Sequence, residues 1–260
     1  MATYRADSDL EFLAECENQD LGMLFSILTT DPKDGQKRHT QSLIGSKGHK
    51  QHGENYRAYW RDIAAELQTY GGNSISNLFR GGKGVTYCEI LMDVCSKVKA
   101  NINKQDSVSR IENALLMKIL EKSLTNMKQD ELEKLAQELG EENTSVITAS
   151  KIVVLLQANI ASNPYLWSSI ITLLLQRLGF NIGQLVLTTT GTFVAPRILP
   201  FISVLAGPIG FTLSGLWLAS DIAGPAYRVT VPACLYVAAL RQKYNSINAN
   251  FQLAFKSNYI

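Results

Sequence analysis

One short cluster in the sequence resembles a phosphate-binding loop, since two basic residues flank a glycine pair. Its members are Arg80, Gly81, Gly82 and Lys83. A Walker A motif also needs a glycine five positions before the glycine of Gly-Lys and a Ser or Thr after the lysine. Those positions hold Asn77 and Gly84 here, so this motif is absent. An anion or lipid-phosphate site at the following helix start and a glycine-enabled turn both remain open interpretations.

The three histidines, His39, His49 and His52, all lie within one polar segment. His49 and His52 are close enough to share a metal, but no cysteine or carboxylate stands at a recognisable ligand spacing beside them. We therefore expect a solvated loop and neither a metal nor a cofactor. Nucleophile-elbow, zinc-protease and Cys/His motifs are also missing from the sequence, so we expect no catalytic residues and no enzymatic activity.

A further pair of charged residues, Asp221 and Arg228, lies seven positions apart in very apolar surroundings. An isolated ion is costly there, so pairing is expected. A pair that spans the Gly224-Pro225 break would serve as a latch that opens before the apolar part rearranges. A surface pair worth less than about 1 kcal/mol is an equally compatible interpretation.

Charge is distributed very unevenly along the 260 residues. Residues 1–151 hold 19 of the 25 Lys+Arg and 22 of the 23 Asp+Glu. Residues 152–240 contain only four charged residues, and they separate uncharged runs at 152–176, 178–196 and 198–220. This segregation is typical of a water-facing module joined to a segment that lies in lipid or in a dry core.

Helical patterns predict an all-α fold, in which a charged amphipathic module precedes a strongly apolar multi-helix module. We expect a short helical hairpin and polar loop over 1–53, a charged helical module over 54–145, and an apolar module with a polar tail over 146–260. Asn18 and Ser107 are expected to cap helices, and Gly140 is expected to end one.

The sequence does not decide whether the apolar part lies in lipid or in the dry core of a protein. A 23-residue helix is about 34 Å long, enough to cross a hydrocarbon core of about 30 Å. Three interpretations fit the sequence of this part: a conditionally inserting or membrane-peripheral bundle, a buried core, and a constitutive membrane protein. Small residues at spacings of four, Ala206, Gly210 and Ser214, predict a close helix–helix contact in either solvent.

The composition also bears on partners and compartment. Residues 152–260 carry six Lys+Arg and one Asp, which suits an anionic membrane surface. No basic stripe is dense enough to follow a nucleic-acid backbone, so nucleic acid is not an expected partner. The first residues lack an apolar signal region. We expect reduced cysteines and a cytoplasmic protein that associates with the inner membrane and forms homo-oligomers.

Three stretches carry a resemblance to a known family: YRADSDLEFLAEC near the start, NLFRGGKGVTYCEILMDVC in the middle, and AGPIGF with DIAGPAYRVTVPA near the end. Over almost its full length the chain is similar to the uncharacterised bacterial YaaW-like family, which is grouped distantly with ubiquinol–cytochrome c chaperones. The resemblance implies an all-α, non-enzymatic protein, and it carries no ligand or catalytic residues.

The features together predict a non-enzymatic protein whose apolar module inserts into a membrane or self-assembles there. A pore-like assembly is one form, and the charged module would control it. The alternative is a soluble assembly chaperone that holds a hydrophobic helix of a partner protein.

Overall fold

The computed structural model describes residues 2–72, 84–125, 127–141, 146–162, 164–180 and 226–257. These residues form α-helices, three short 3₁₀ helices (Glu11–Glu15, Leu43–Gly45 and Tyr56–Tyr59) and connecting turns, and contain no strand. The expected all-α class is confirmed. The α-helices are α1 Asn18–Thr29, α2 Lys47–His52, α3 Trp60–Gly71, α4 Tyr87–Val98, α5 Val108–Leu124, α6 Gln129–Glu138, α7 Ala149–Ser162, α8 Pro164–Arg177 and α9 Tyr227–Ser257.

Local signals set several of these helix ends. Thr86 and Glu89 form a reciprocal capping box at the start of α4. The Ser107 hydroxyl accepts a hydrogen bond from the Arg110 amide at the start of α5, as its sequence position predicts. Gly140, just beyond α6, has a φ of 88°, which a residue without a Cβ adopts without strain.

The final helix, α9, lies at the centre of the packing. It contacts α1, α3, α4, α5 and α8, so helices far apart in the sequence share its surface. From Val229 to Leu240 its side chains are buried, and they belong to the same hydrophobic cluster as Leu10 and Leu91. The expected arrangement of a charged module followed by an apolar one is not confirmed, since α9 helps to fill the core of the charged part.

The remaining apolar helices pack against this centre. In α8, Ile171 and Leu175 are fully buried, and the helix lies along α9. α7 bridges α6 and α8 and leaves Val154 62% exposed. Within the described parts of the chain, no helix combines the length and the apolar character needed to cross a membrane.

Candidate functional site

A buried ion pair fixes α9 within the body. Arg241 Nε lies 3.1 and 3.2 Å from the two carboxylate oxygens of Glu112 in α5, and the Arg241 Nη2 group donates to the Asp9 carbonyl at 2.6 Å. The Tyr87 hydroxyl lies 2.9 Å from Glu112 Oε1 and 3.2 Å from the Cys234 carbonyl oxygen. Burial raises the pKa of Glu112, and the charge of Arg241 opposes that rise. The pair therefore ties α9 to α5, α4 and the amino-terminal segment.

A second buried pair lies two residues further along α9. Lys243 Nζ lies 2.8 Å from Asp20 Oδ2 in α1 and 3.3 Å from Glu17 Oε2. The Tyr236 hydroxyl donates to the Asp20 backbone carbonyl at 3.2 Å. Burial raises the pKa of Asp20, and the hydrogen bond from Lys243 opposes it. α9 is thus held on the side of α1 as well.

The amino-terminal segment is fixed by the buried carboxylate of Asp7. Its Oδ2 accepts the Tyr87 amide at 2.7 Å, at the start of α4, and the Gln68 side-chain amide at 3.3 Å. Gln68 also exchanges two hydrogen bonds with the backbone of Arg5, each 2.9 Å long. A carboxylate at a helix start complements the helix dipole, so Asp7 joins the chain start to α3 and α4.

A cavity of about 770 Å³ opens where α9 begins. One wall is the loop after α1, which is closed by a bridge between Thr30 and Lys37 and by a 2.7 Å hydrogen bond from the Arg38 amide to Thr29. The Arg38 side chain is only 8% exposed, and its Nη1 lies 3.6 Å from Asp31 Oδ2. The opposite wall includes Arg228, in the first turn of α9.

These two arginines present buried donors that lack partners. Nε and Nη2 of Arg38, and Nε of Arg228, are buried and donate to no hydrogen-bond acceptor in the described chain. Burial lowers the pKa of the Arg38 guanidinium, Asp31 opposes that effect, and the nearby charge of Arg228 adds to it. Buried donors without acceptors and neighbouring like charges both lower the stability of a fold. This cavity combines the two.

The acidic residues around the cavity are engaged elsewhere. Both carboxylate oxygens of Glu66 accept hydrogen bonds from Ser42, at 2.8 and 2.7 Å. Asp93 is hydrogen-bonded to the Tyr227 hydroxyl, and Asp34 Oδ1 accepts the Gln36 amide at 2.8 Å. Among the residues that the structure describes, Asp31 alone faces an arginine of the cavity at ion-pair distance, and at 3.6 Å that pair is long.

Most residues singled out from the sequence lie outside the described part of the chain. They are Arg80, Gly81, Gly82 and Lys83, the helix-packing stripe Ala206, Gly210 and Ser214, and Asp221 of the expected latch. Arg228, the other latch residue, is described and lines the cavity. The expectations for these residues therefore stay predictions. Nothing in the sequence indicated that Arg228 and Arg38 line the same cavity.

His39 lies in an exposed turn, as the predicted solvated loop requires, whereas the other two histidines lie in a helix, where His52 is also exposed. His49 and His52 belong to the short helix α2, and His49 stacks on Phe25 with ring centroids 5.0 Å apart. His49 Nδ1 lies 3.1 Å from the Tyr59 hydroxyl. Gly48 lies within α2 and Gly53 directly follows it. Among the described residues no cluster suited to a metal occurs.

Gly84, which directly follows the glycine-rich cluster, packs closely on α3. A Cβ at Gly84 would overlap the Gln68 backbone carbonyl, whose oxygen accepts the next amide, that of Val85, at 3.1 Å. We expect Gly84→Ala to lower the free energy of unfolding by about 1–3 kcal/mol. Gly45→Ala is the matched control, because a Cβ there meets open space and should change stability by less than about 1 kcal/mol. Urea unfolding of both variants measures this, and equal stability would contradict the close contact.

The sequence offered weak signals for the residues that the structure brings together. Glu112 directly follows the core residue Ile111, and Arg241 ends the long apolar run of α9, so each is a charge at the edge of a buried face. A buried charge at such a position needs a partner, but nothing in one sequence names that partner. Arg38 lies in a loop rich in charge and carries no such signal.

Comparison with known proteins identifies relatives over nearly the whole chain. The model of one family, described as a Domain of unknown function (DUF3944), matches residues 4–39. A UPF0174 protein of Helicobacter pylori strain J99 is 40% identical over 245 residues, which cover 94% of this chain and 95% of that protein. The UPF0174 protein YaaW of Escherichia coli K12 is 32% identical over 245 residues, 92% of this chain and 95% of YaaW.

No solved structure matches the chain. The similarity covers both the described body and the apolar tract, and it confirms the resemblance to YaaW-like proteins. A link to ubiquinol–cytochrome c chaperones is not shown. The chain belongs to the UPF0174 family of bacterial proteins, which includes YaaW.

Proposed function

We propose that this protein is a non-enzymatic, membrane-associating helical protein, cytoplasmic and bound to the inner membrane. In this proposal the folded body is joined to both ends of the apolar segment 181–225, and that segment associates with lipid. That segment carries only two charges, Arg197 and Asp221, in 45 residues. Insertion or self-assembly at the membrane, in a pore-like form, is the activity that we assign to it.

The position of the segment's two ends carries this proposal. Gly179, just before the segment, lies against Pro32, since a Cβ added there would be 3.1 Å from the Pro32 carbonyl oxygen. Ala226, just after it, lines the same cavity as Asp31. Both ends therefore leave the body beside one loop. A length of 45 residues permits an out-and-back path of about 30 Å each way in helical form, the thickness of a hydrocarbon core.

The body suits the role of an anchor. α9 follows the segment directly and is fixed by two buried ion pairs, through Arg241 and Lys243. α8 precedes it and packs along α9. Because both flanks are held in one core, the segment can change its surroundings while the body stays folded.

Vesicle flotation of the full chain tests the proposal. We expect it to float with vesicles containing phosphatidylglycerol, to float less with phosphatidylcholine alone, and to lose binding as salt rises. Leu205→Asp places a charge in the segment at a cost of about 2.5–3.5 kcal/mol on the insertion scale, so binding should fall about a hundredfold. Val154→Asp adds the same charge at an exposed position of the body and should leave binding unchanged.

Several outcomes distinguish the alternatives. Carbonate-resistant pelleting would favour insertion, and release of an entrapped dye would favour a pore-like assembly. Absence of flotation with both vesicle types would contradict the proposal. A chain that stays soluble and binds an apolar helical peptide would instead favour the chaperone alternative.

A further inference from the structure

The cavity between the loop after α1 and the start of α9 contains an arrangement that the membrane proposal does not use. Two guanidinium groups, from Arg38 and Arg228, line it, and each has a buried donor without a partner in the described chain. An arginine buried in this way is normally paired, because an unpaired buried charge is strongly destabilising. The free donors therefore indicate that the site is built for an anion.

The identity of the free atoms defines the shape of that anion. Nε and Nη2 form the side-on edge of the Arg38 guanidinium, on which two parallel N–H groups point the same way. This edge matches two oxygens of a carboxylate or a phosphate. Arg38 is held in place, since its backbone amide is bonded to Thr29 and its side chain is only 8% exposed.

The arrangement of donors favours phosphate over carboxylate. Arg228 lies in the first turn of α9, where the helix dipole is already positive, so a cation at this position is unfavourable without a counter-anion. The cavity wall also carries the carboxylates of Asp31, Asp34, Glu66 and Asp93, which keep their charges when they are hydrogen-bonded, so the free arginine donors and not the net charge select the ligand. Two arginines and a helix start together provide donors for the three acceptor oxygens of a phosphate group, whereas a carboxylate has only two oxygens.

We propose that the cavity between Arg38 and Arg228 binds a phosphate group, carried by a soluble phosphate compound or by a phosphomonoester lipid headgroup. The site goes beyond the membrane role, because free phosphate can reach it without lipid. Where the phosphate is a headgroup, the site lies beside the point at which the apolar segment leaves the body.

Thermal unfolding and calorimetric titration of the full chain with inorganic phosphate test the inference. We expect phosphate to raise the melting temperature saturably, while chloride at equal ionic strength does not. Arg38→Gln and Arg228→Gln should each weaken phosphate binding about tenfold to hundredfold. Arg110→Gln, whose arginine is 75% exposed on α5, is the control and should bind phosphate as the wild type does.

A second readout separates binding from folding. Without phosphate, Arg38→Gln should melt no lower than the wild type, because it removes a buried charge that has unpaired donors. Vesicles with phosphatidic acid form the lipid arm. If free phosphate displaces the protein from these vesicles, the lipid headgroup is the ligand. If phosphate raises the melting temperature but does not displace the protein from the vesicles, the ligand is a soluble compound.

Two results would overturn the inference: no phosphate effect beyond chloride with no preference for phosphatidic acid, or equal phosphate binding by Arg38→Gln and the wild type. Failure of the membrane proposal is distinguishable from this, because Leu205→Asp should weaken vesicle binding about a hundredfold and leave the phosphate titration unchanged.

Discussion

Replacing Arg241 by Met is expected to lower the free energy of unfolding by about 3–5 kcal/mol, because it leaves the charge of Glu112 buried without a partner. The Glu112 side chain is 3% exposed and that of Arg241 is 14% exposed, so the carboxylate is largely shielded from water. Urea unfolding at pH 7 measures the loss. Arg110→Met is the matched control: its arginine pairs with Asp106 at 3.2 Å but is 75% exposed, so its removal should cost less than about 1 kcal/mol.

A double variant and a pH series show whether the buried charge causes the loss. Glu112→Gln combined with Arg241→Met removes both charges and should be more stable than Arg241→Met alone. Burial already raises the pKa of Glu112, and loss of Arg241 removes the main opposing influence. The folded single variant then binds a proton more tightly than the unfolded chain. Its deficit should therefore shrink as the pH falls from 7 towards the ordinary carboxyl pKa of about 4.3. A deficit equal to that of Arg110→Met would contradict the account of this pair.

Ending the chain at residue 225 is expected to abolish cooperative unfolding of the remainder. The truncation removes six large, buried side chains of α9: Val229, Val231, Leu235, Tyr236, Val237 and Leu240. Each contributes about 1.5–3 kcal/mol through burial, so their sum is comparable with the entire stability of about 5–15 kcal/mol of an ordinary domain. It also leaves Glu112 and Asp20 without their cations.

Circular dichroism during heating measures this effect. A chain ending at residue 245 is the matched control, because it keeps each α9 side chain whose contacts the structure describes. The control should retain a sharp transition, and the shorter chain should melt without one. A sharp transition in the chain that ends at 225 would mean that residues 1–180 form a core without α9.

The sequence predicted those parts of the fold that depend on local chemistry. The all-α class followed from helical periodicity, and Ser107 and Gly140 act at helix ends because a hydroxyl cap and a left-handed glycine are local devices. Asn18 is a partial exception. It is the first residue of α1, and its side chain bonds the Glu54 carbonyl and the Arg57 amide across the fold.

The packing of residues far apart in the chain could not be predicted from the sequence, for a physical reason. A helix that is apolar on all faces has the same composition in a lipid bilayer and in the centre of a protein, and the 229–240 stretch of α9 lies in the centre. Glu112 and Arg241 are 129 positions apart, and nothing in the sequence indicates that these two charges meet. The Arg38–Arg228 cavity could not be predicted from the sequence for the same reason, because nothing beside either arginine distinguishes it from other charged residues.

Hydrogen exchange of the backbone amides tests most directly the claim that α9 is the central helix of one body. The amides of residues 229–240, apart from Pro232, which has none, should exchange only through global unfolding. Their protection and its dependence on denaturant should match those of α4 and α5. Exchange of α9 at lower denaturant than α4 and α5, with a smaller opening free energy, would contradict the account and show a helix that separates from the body.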